Sequence, residues 1–350
     1  MGFSLVKAMV FMYNDAAGGV EVRIMVRVEI GSNDAGQRLD RFLRKYLKRA
    51  PLSAVYKIIR KDLKLNGRRA KEDTVLEEGD VLSLFIDEER LQELTRKPAK
   101  HRAKRQFNIA YEDRNVLIVS KPWGLLTHGD SHEKKNTLMN QVCGYLQDKG
   151  EYDPSDEKTF TPSPVNRLDR NTTGLVIFGK TAEGLRQLTK LIREREYVSK
   201  YYITIATGNL REELYIDDRL SKDTGKNRVR ITAAGQSAVS VARPLEHSKD
   251  GRFTLVEVEL VTGRTHQIRV HLAGKGFPLA GDSKYGTSSA GRKANDALRK
   301  YGVTTQLLHA ARLSFGGIPE EFTALAGLKN KEIKAPIPAE FRRVWDGLKG

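Results

Sequence analysis

The chain has 350 residues, 39% of them hydrophobic and 30% charged, enough to bury one large core and a second small one and to exclude a globally disordered polypeptide. Its 61 Lys and Arg against 44 Asp and Glu leave a net charge of +17, which points to a polyanionic partner. No apolar run approaches the ~18 to 20 residues of a membrane-spanning helix, and the run at 8–12 is too short for a signal-peptide core, so no membrane partner and a cytoplasmic location are expected. Cys143 stands alone, which excludes an intramolecular disulfide framework and a Cys-based cluster. The seven histidines contain no H-E-x-x-H string, and no metal site is expected.

Residues 1–24 show no clear period, and the first strand is expected only from Met25, over 26–30; the extension 1–24 is expected to be disordered or an overlong reading frame. From Arg38 to Lys71 there are thirteen Lys and Arg against two acids, Asp40 and Asp62, a local charge of +11. Leu39, Phe42, Leu43 and Leu47 recur at helical spacing, Val55, Ile58 and Ile59 do so on a second helix, and the basic residues fall on the opposite faces. Lys64-Leu65-Asn66-Gly67-Arg68 reads as a hairpin, because Asn-Gly accepts the positive φ angles of a type I′ turn, and a strand at 81–86 closes the unit. Residues 72–93 hold nine acids and one Arg, so charge is segregated rather than mixed as on an ordinary solvated surface. Arg38, Arg41, Arg44, Lys45, Lys57, Arg60 and Arg68 are the candidate contacts to a phosphate backbone. Through AGQRLDRFLRKYL (35–47), SAVYKIIRKDLKLNGRRAK (53–71) and LEEGDVLSL (76–84) the segment resembles the S4-like RNA-binding domain.

Residues 95–106 carry six Lys and Arg, no acid and one Pro, the composition of a flexible linker that could still touch RNA. Beyond it strands are expected at 116–119, 175–178, 201–206, 237–242 and 253–260. Helices are expected at 137–147 and 182–195, the latter with Leu185, Leu188, Leu191 and Ile192 on one face and Thr181 as N-cap. Strands outnumber helices without alternating regularly with them. That pattern predicts an α+β fold on a mixed, mainly antiparallel sheet rather than a doubly wound one. The organisation expected is an extension (1–24), a small N-terminal S4-like domain (25–94), a basic linker (95–106) and a catalytic domain (107–350).

No G-x-G-x-x-G follows a strand, and neither a phosphate-binding G-x-x-x-x-G-K-[ST] nor a G-x-S-x-G is present, which argues against nucleotide-driven and redox chemistry. Two segments stand out. In NRLDRNTTGLVIFGKT (166–181) Asp169 lies between Arg167 and Arg170 just ahead of an apolar strand, a structural ion-pair loop or a site for a carboxylate with cationic neighbours. In VTGRTHQIRVHLAGKGFPLAGDSKYG (261–286) Arg264, His266, Arg269 and His271 crowd into eight residues. If 267–273 is helical, Arg269 and His271 point to different sides, one free for catalysis and the other buried. Taken alone, His266 and His271 read as structural histidines before a proton relay.

These two strings, together with YEDRNVLIVSKPWGLLTH (111–128) and LLHAARLSF (307–315), resemble the RluA/RluC/RluD-type pseudouridine synthases, in the family's order and over about 107–345. The related RsuA-type enzymes carry an N-R-Q-V-R-R-like string where this chain has THQIRVH. The resemblance implies that Asp169 is the essential carboxylate, breaking the uridine N1–C1′ bond by attacking the sugar or by taking its 2′ proton. It implies that Arg269 pairs with it, and that Tyr202, within KYYITIATG (200–208) and beside its rival Tyr201, stacks on the uracil and removes the C5 proton. Arg167 corresponds to the residue that fills the helix as the target leaves it. The reaction is an isomerisation, so no cofactor and no metal are required. Asn166 replaces a His common in relatives, 287–304 hold few landmarks, and KPWGLLTH and LLHAARLSF are expected to frame the cleft. The expected partner is RNA, large-subunit ribosomal RNA or an assembling subunit before transfer RNA, with the enzyme a monomer. The alternatives are a non-catalytic RNA-binding protein and an RNA hydrolase using Asp169 as general base.

Overall fold

The computed structural model describes residues 8–14, 20–86, 88–95, 103–154, 158–223 and 228–350. They divide into two units, Met1–Arg102 with Cys143–Pro162, and Ala103–Val142 with Ser163–Gly350.

In the first unit β1 (Ala8–Asn14) and β2 (Val20–Glu29) form an antiparallel hairpin running from Ala8↔Val26 to Asn14↔Val20. This corrects the expectation of a disordered start for the described part of 1–24. The V-E-V-R-I of residues 20–24 already alternates as a strand does, and the ladder partner that makes use of it lies upstream in an apolar run with no period of its own. Next come α1 (Leu39–Tyr46) and α2 (Leu52–Lys61), which bury Leu39, Phe42 and Leu43, and Val55, Ile58 and Ile59. Leu47, just past the end of α1, is fully buried as well. After β3 (Leu63–Leu65) the turn residues Asn66 and Gly67 have φ of 49° and 80°, and Leu65 and Arg68 exchange backbone hydrogen bonds of 2.8 and 2.9 Å, the type I′ hairpin that Asn-Gly predicts. β4 (Val81–Leu84) completes an antiparallel sheet of order β1-β2-β4-β3. A helix not anticipated, α3 (Glu88–Thr95), adds Leu91 and Leu94 to this core. Thr159 belongs to the same unit through a 2.5 Å hydrogen bond to the buried Asp34. Of the expected linker, residues 96–102 lie outside the described residues.

The second unit opens with β5 (Asn108–Glu112) and β6 (Val116–Lys121), followed by α4 (Leu138–Asp148), whose residues up to Val142 belong to this unit, β7 (Ser163–Pro164), β8 (Thr173–Gly179) and α5 (Ala182–Glu194). Thr181 caps α5 as expected, accepting from Gly184 N at 3.1 Å. Then come β9 (Val198–Thr207), β10 (Leu214–Asp223), β11 (Arg228–Ile231), β12 (Gln236–His247), β13 (Phe253–Leu260) and α6 (Gln267–Gly274). The unit ends with α7 (Ser289–Leu298), β14 (Leu308–Phe315), β15 (Glu332–Lys334) and α8 (Ala339–Lys349). The main sheet runs β11-β10-β12-β13-β9-β14-β8-β6-β5, with β15 on β14 and β7 on β8. Among the described pairs only β14 and β8 are parallel, so the mixed and mainly antiparallel α+β architecture stands. Gly174, at φ 107°, sits where that parallel pair forms, and a Cβ there would collide with the Ala310 carbonyl. The sparse stretch 287–304 contains α7, whose Ala294 and Leu298 join a core with Phe341, Val344 and Trp345 of α8.

Candidate active site

Asp169 lies 100 residues from Arg269 in sequence, and the sheet brings them together: Arg269 Nη1 donates to Asp169 Oδ2 at 3.1 Å. The Asp169 loop is fixed from both sides. Thr127 Oγ1 donates to the Leu168 carbonyl at 3.1 Å and accepts from its N–H at 3.2 Å. On the other flank Lys121, buried, donates to the carbonyls of Arg170 (3.0 Å), Leu125 (2.7 Å) and Pro122 (3.0 Å). Burial pushes the Lys121 pKa down to about 7, against the opposing pull of Asp169. Asn166, in the place of a common His, bridges the strand that follows, donating to Leu175 O at 3.2 Å and accepting from Ile177 N at 2.8 Å.

Arg269 is held by more than Asp169. Its Nε and Nη2 donate to the two oxygens of Asp282 at 2.7 and 3.0 Å, and Asp282 is 1% exposed. Burial of the guanidinium works against its charge, and the hydrogen bonds and charges of Asp282 and Asp169 outweigh it, raising the pKa. Asp282 also accepts the backbone N–H of Lys284 and of Tyr285 at 2.9 and 3.1 Å, so GDSKYG is a turn wound round the carboxylate that positions Arg269. The Arg269 guanidinium lies 5.1 Å from the centre of the Tyr285 ring. α6 resolves the other crowded segment, since Arg269 points to the two aspartates while His271 is fully buried against Ser240 Oγ at 3.2 Å.

Asp169, Arg269, Arg167, Tyr202, Lys200 and His266 line one cavity of about 220 Å³. Lys200 and Tyr202 share a face of β9, as alternate strand residues must, and Tyr201 lies on the opposite face with the Arg312 guanidinium 3.7 Å from its ring centre. Of the two rival tyrosines, Tyr202 is therefore the one at Asp169. Burial raises the Tyr202 pKa and the Asp169 charge raises it further, so the phenol is neutral at neutral pH. Arg167 is exposed at the cavity rim, and Arg170 is exposed and reaches Asp130 at 3.4 Å. His266 Nε2 stands 3.7 Å from Asp169 Oδ2. Sequence reasoning passed over Asp282, Tyr285, Lys121, Lys200 and the part of His266 that faces the cavity. All five lie inside the quoted strings, Lys121 in KPWGLLTH, Lys200 in KYYITIATG, His266 in THQIRVH, and Asp282 with Tyr285 in GDSKYG, but the contacts that mark Lys121, His266 and Asp282 join separate strings.

In the first unit Arg38, Arg41, Arg44, Lys45, Lys57, Arg60 and Arg68 are all exposed. Arg38 is committed to Asp40, at 3.1 and 3.2 Å, and Lys45 donates to Gln37 Oε1 at 3.0 Å. Arg68 lines a shallow hollow on the hairpin with Arg69 and Lys71.

The sequence profile of the RNA pseudouridylate synthase family matches residues 115–274, a span that contains Asp169, Tyr202, His266 and Arg269. A protein of Vibrio cholerae named ribosomal large subunit pseudouridine synthase C is 32% identical over 330 residues, covering 92% of this chain and 97% of its own. A protein of the same name from Escherichia coli is 33% identical over 295 residues, covering 82% and 88%. Among solved structures, human RNA pseudouridylate synthase domain containing 4 superposes with a TM-score of 0.53 at 24% identity, over 69% of this chain and 93% of that one, a likeness of fold.

Proposed function

The chain belongs to the RNA pseudouridylate synthase family, and from that premise we propose that it isomerises specific uridines of large-subunit ribosomal RNA with Asp169 as the essential carboxylate. It is an RNA pseudouridine synthase, an isomerase, and the relatives named for the ribosomal large subunit support that substrate. The observation that carries the reading is the Asp169–Arg269 contact in a cavity that Tyr202 also lines.

Asp169 presents Oδ2 to the sugar carbon and either bonds it or takes the 2′ proton, while Arg269 keeps the carboxylate aimed and compensated as RNA displaces water. Tyr202 offers its ring to the uracil and, once carbon has replaced nitrogen at C1′, its phenol oxygen takes the C5 proton while its own hydroxyl proton passes to Asp169, by then a free carboxylate again. Arg167, exposed at the rim, fills the space the target base leaves. The S4-like first unit holds RNA through the exposed Arg41, Arg44, Lys45, Lys57, Arg60 and Arg68, with Arg38 spending part of its charge on Asp40. The isomerisation itself calls for no cofactor or metal, and the enzyme works as a cytoplasmic monomer on ribosomal RNA. Among the described residues no helix is long and apolar enough to cross a membrane.

Release of tritium from 5-tritiated uridine in unmodified large-subunit ribosomal RNA tests the proposal, because forming the C5–C1′ bond must expel that hydrogen. Release by the wild type and none by Asp169→Asn is the expected result. RNA cut to shorter pieces that keep their tritium would point instead to hydrolysis, and release from transfer RNA alone would move the substrate.

A further inference from the structure

We infer that His266 is a catalytic hydrogen-bond donor, its neutral imidazole presenting Nε2–H to the uracil O2 as the N1–C1′ bond breaks. The inference rests on the reading of the cavity as a pseudouridine synthase site with Asp169 at the reacting carbon.

The tautomer follows from the neighbours. Tyr285 Oη accepts the Val229 N–H at 3.0 Å and lies 2.8 Å from His266 Nδ1. The phenol hydrogen then has Nδ1 as its acceptor, which leaves the ring proton on Nε2. Nε2 faces the cavity, and its contact with Asp169 Oδ2, 3.7 Å, is too long for a hydrogen bond, so the N–H is directed at the reacting region without being consumed there. Burial pushes the His266 pKa down to about 4, an effect that the charges of Asp169 and Asp282 oppose and those of Arg269 and Lys284 reinforce. The ring is thus a neutral donor and not an imidazolium that would discharge Asp169.

The backbone shows that this placement is enforced. His266 has φ of 54°, a left-handed conformation that a non-glycine residue holds only when its surroundings demand it. Gln267 supplies the demand. Its Oε1 accepts from Thr262 Oγ1 at 2.7 Å and from Arg264 N at 3.0 Å, and its Nε2 donates to Val239 O and Ser240 Oγ, each at 2.9 Å. A closed network therefore fixes the turn that carries His266 into the cavity, and Tyr285 fixes the ring.

When N1–C1′ breaks, its electron pair stays with the uracil and is shared between N1 and the two carbonyl oxygens, while Asp169 bonds C1′ or removes the 2′ proton. O2 is the carbonyl next to N1, and so the one within reach of a donor beside Asp169. His266 transfers no proton; it donates a hydrogen bond that strengthens as charge grows on O2 and relaxes when C5 rebonds to C1′.

The test compares wild type with His266→Asn, which tolerates the left-handed backbone but whose shorter amide falls short of the Nε2 position, on the ribosomal RNA segment carrying uridine or 2-thiouridine at the modified position. Product is read by nucleoside chromatography under single turnover. The expected result is a rate about 10² to 10³ lower in His266→Asn at nearly unchanged RNA affinity. Sulfur, a weaker acceptor, is expected to slow the wild type and to have little further effect on the variant. Tyr285→Phe, which keeps the ring under Arg269 but frees the tautomer, is expected to fall between the two. An equal sulfur penalty in wild type and variant, or a wild-type rate for His266→Asn, would overturn the inference. A wild type that forms no pseudouridine in any RNA removes the underlying reading and this inference with it.

Discussion

Replacing Asp282 by Asn tests whether Arg269 is set from behind rather than by Asp169 alone. The buried carboxylate takes two charge-assisted hydrogen bonds from Arg269, at 2.7 and 3.0 Å, and two backbone N–H groups on Oδ1, at 2.9 and 3.1 Å. An asparagine can keep the bonds to Oδ1, but it sets an amide N–H against the Arg269 Nε–H and removes the charge. The guanidinium, 8% exposed, is left with Asp169, itself partly exposed, as its remaining anion. Breaking one side of such a buried pair is worth about 3 to 5 kcal/mol. At roughly 2 to 4 °C per kcal/mol for a unit of this size, the melting temperature is expected to fall by about 6 to 20 °C. Catalysis suffers separately, because a displacement of about 1 Å at Arg269 lowers the rate on the order of 10²-fold. Calorimetry and tritium release read the two effects, and Arg269→Met with Asp282→Asn is the control. Removing both charges leaves neither unpaired, so the double variant is expected to be more stable than either single one while remaining inactive. A double variant whose destabilisation equals the sum of the singles would refute the reasoning.

Three further outcomes follow from the same geometry. Tyr202→Phe keeps the ring that faces the uracil but removes the oxygen, so RNA binding is expected to persist while tritium release falls by about 10² to 10⁴; release at the wild-type rate would take the proton-acceptor role from Tyr202. Charge reversal at Arg41, Arg44 and Lys45 is expected to weaken RNA binding and flatten its dependence on salt, with turnover at saturating RNA largely kept; unchanged affinity at low salt would dismiss that face. His271 is buried with its Nε2 unpartnered among the described residues, and burial lowers its pKa from 6.5 to about 4, Asp218 and Asp217 opposing the shift and Lys275 adding to it. The native state therefore binds fewer protons than the unfolded chain between those values, and stability falls as the pH drops through that window, by about 2 kcal/mol at pH 5. Urea midpoints at pH 7.5 and pH 5 are expected to differ less in His271→Leu than in the wild type, and an equal difference in both would refute this.

The carboxylate and its arginine were legible because each sits in a run of residues whose order and spacing carry the resemblance, and the structure sets the two 3.1 Å apart. The choice of Tyr202 over Tyr201 was legible from the resemblance and not from the hydropathy pattern. Both faces of β9 are covered, one by the cavity and one by Arg312, so hydropathy alternation could not say which tyrosine looks at Asp169. The start of the chain was misjudged for a related reason, since a strand's existence depends on a partner that local period does not reveal, here β1 for the first half of β2. His266 and His271 looked alike in sequence. Their difference lies in a turn at positive φ held by Gln267, whose partners Val239 and Ser240 belong to a strand nearly thirty residues upstream.

KPWGLLTH shows why a string can be legible as structural and still bear on chemistry. Lys121 and Thr127 touch no reacting atom, yet they grip the carbonyls of Arg170 and Leu168, the residues on either side of Asp169. A loop pinned at both neighbours leaves the carboxylate little freedom except rotation about its own side chain, and Arg269 removes that freedom at 3.1 Å. The same pinning leaves Arg167 and Arg170 exposed. In the mechanism proposed above, one short loop therefore carries both the fixed carboxylate and two exposed cations on the side that RNA would approach. The three carbonyl bonds of Lys121 explain why a buried ammonium is kept at this position: methionine would fill the space, but it could not hold three backbone oxygens that converge from two segments of chain.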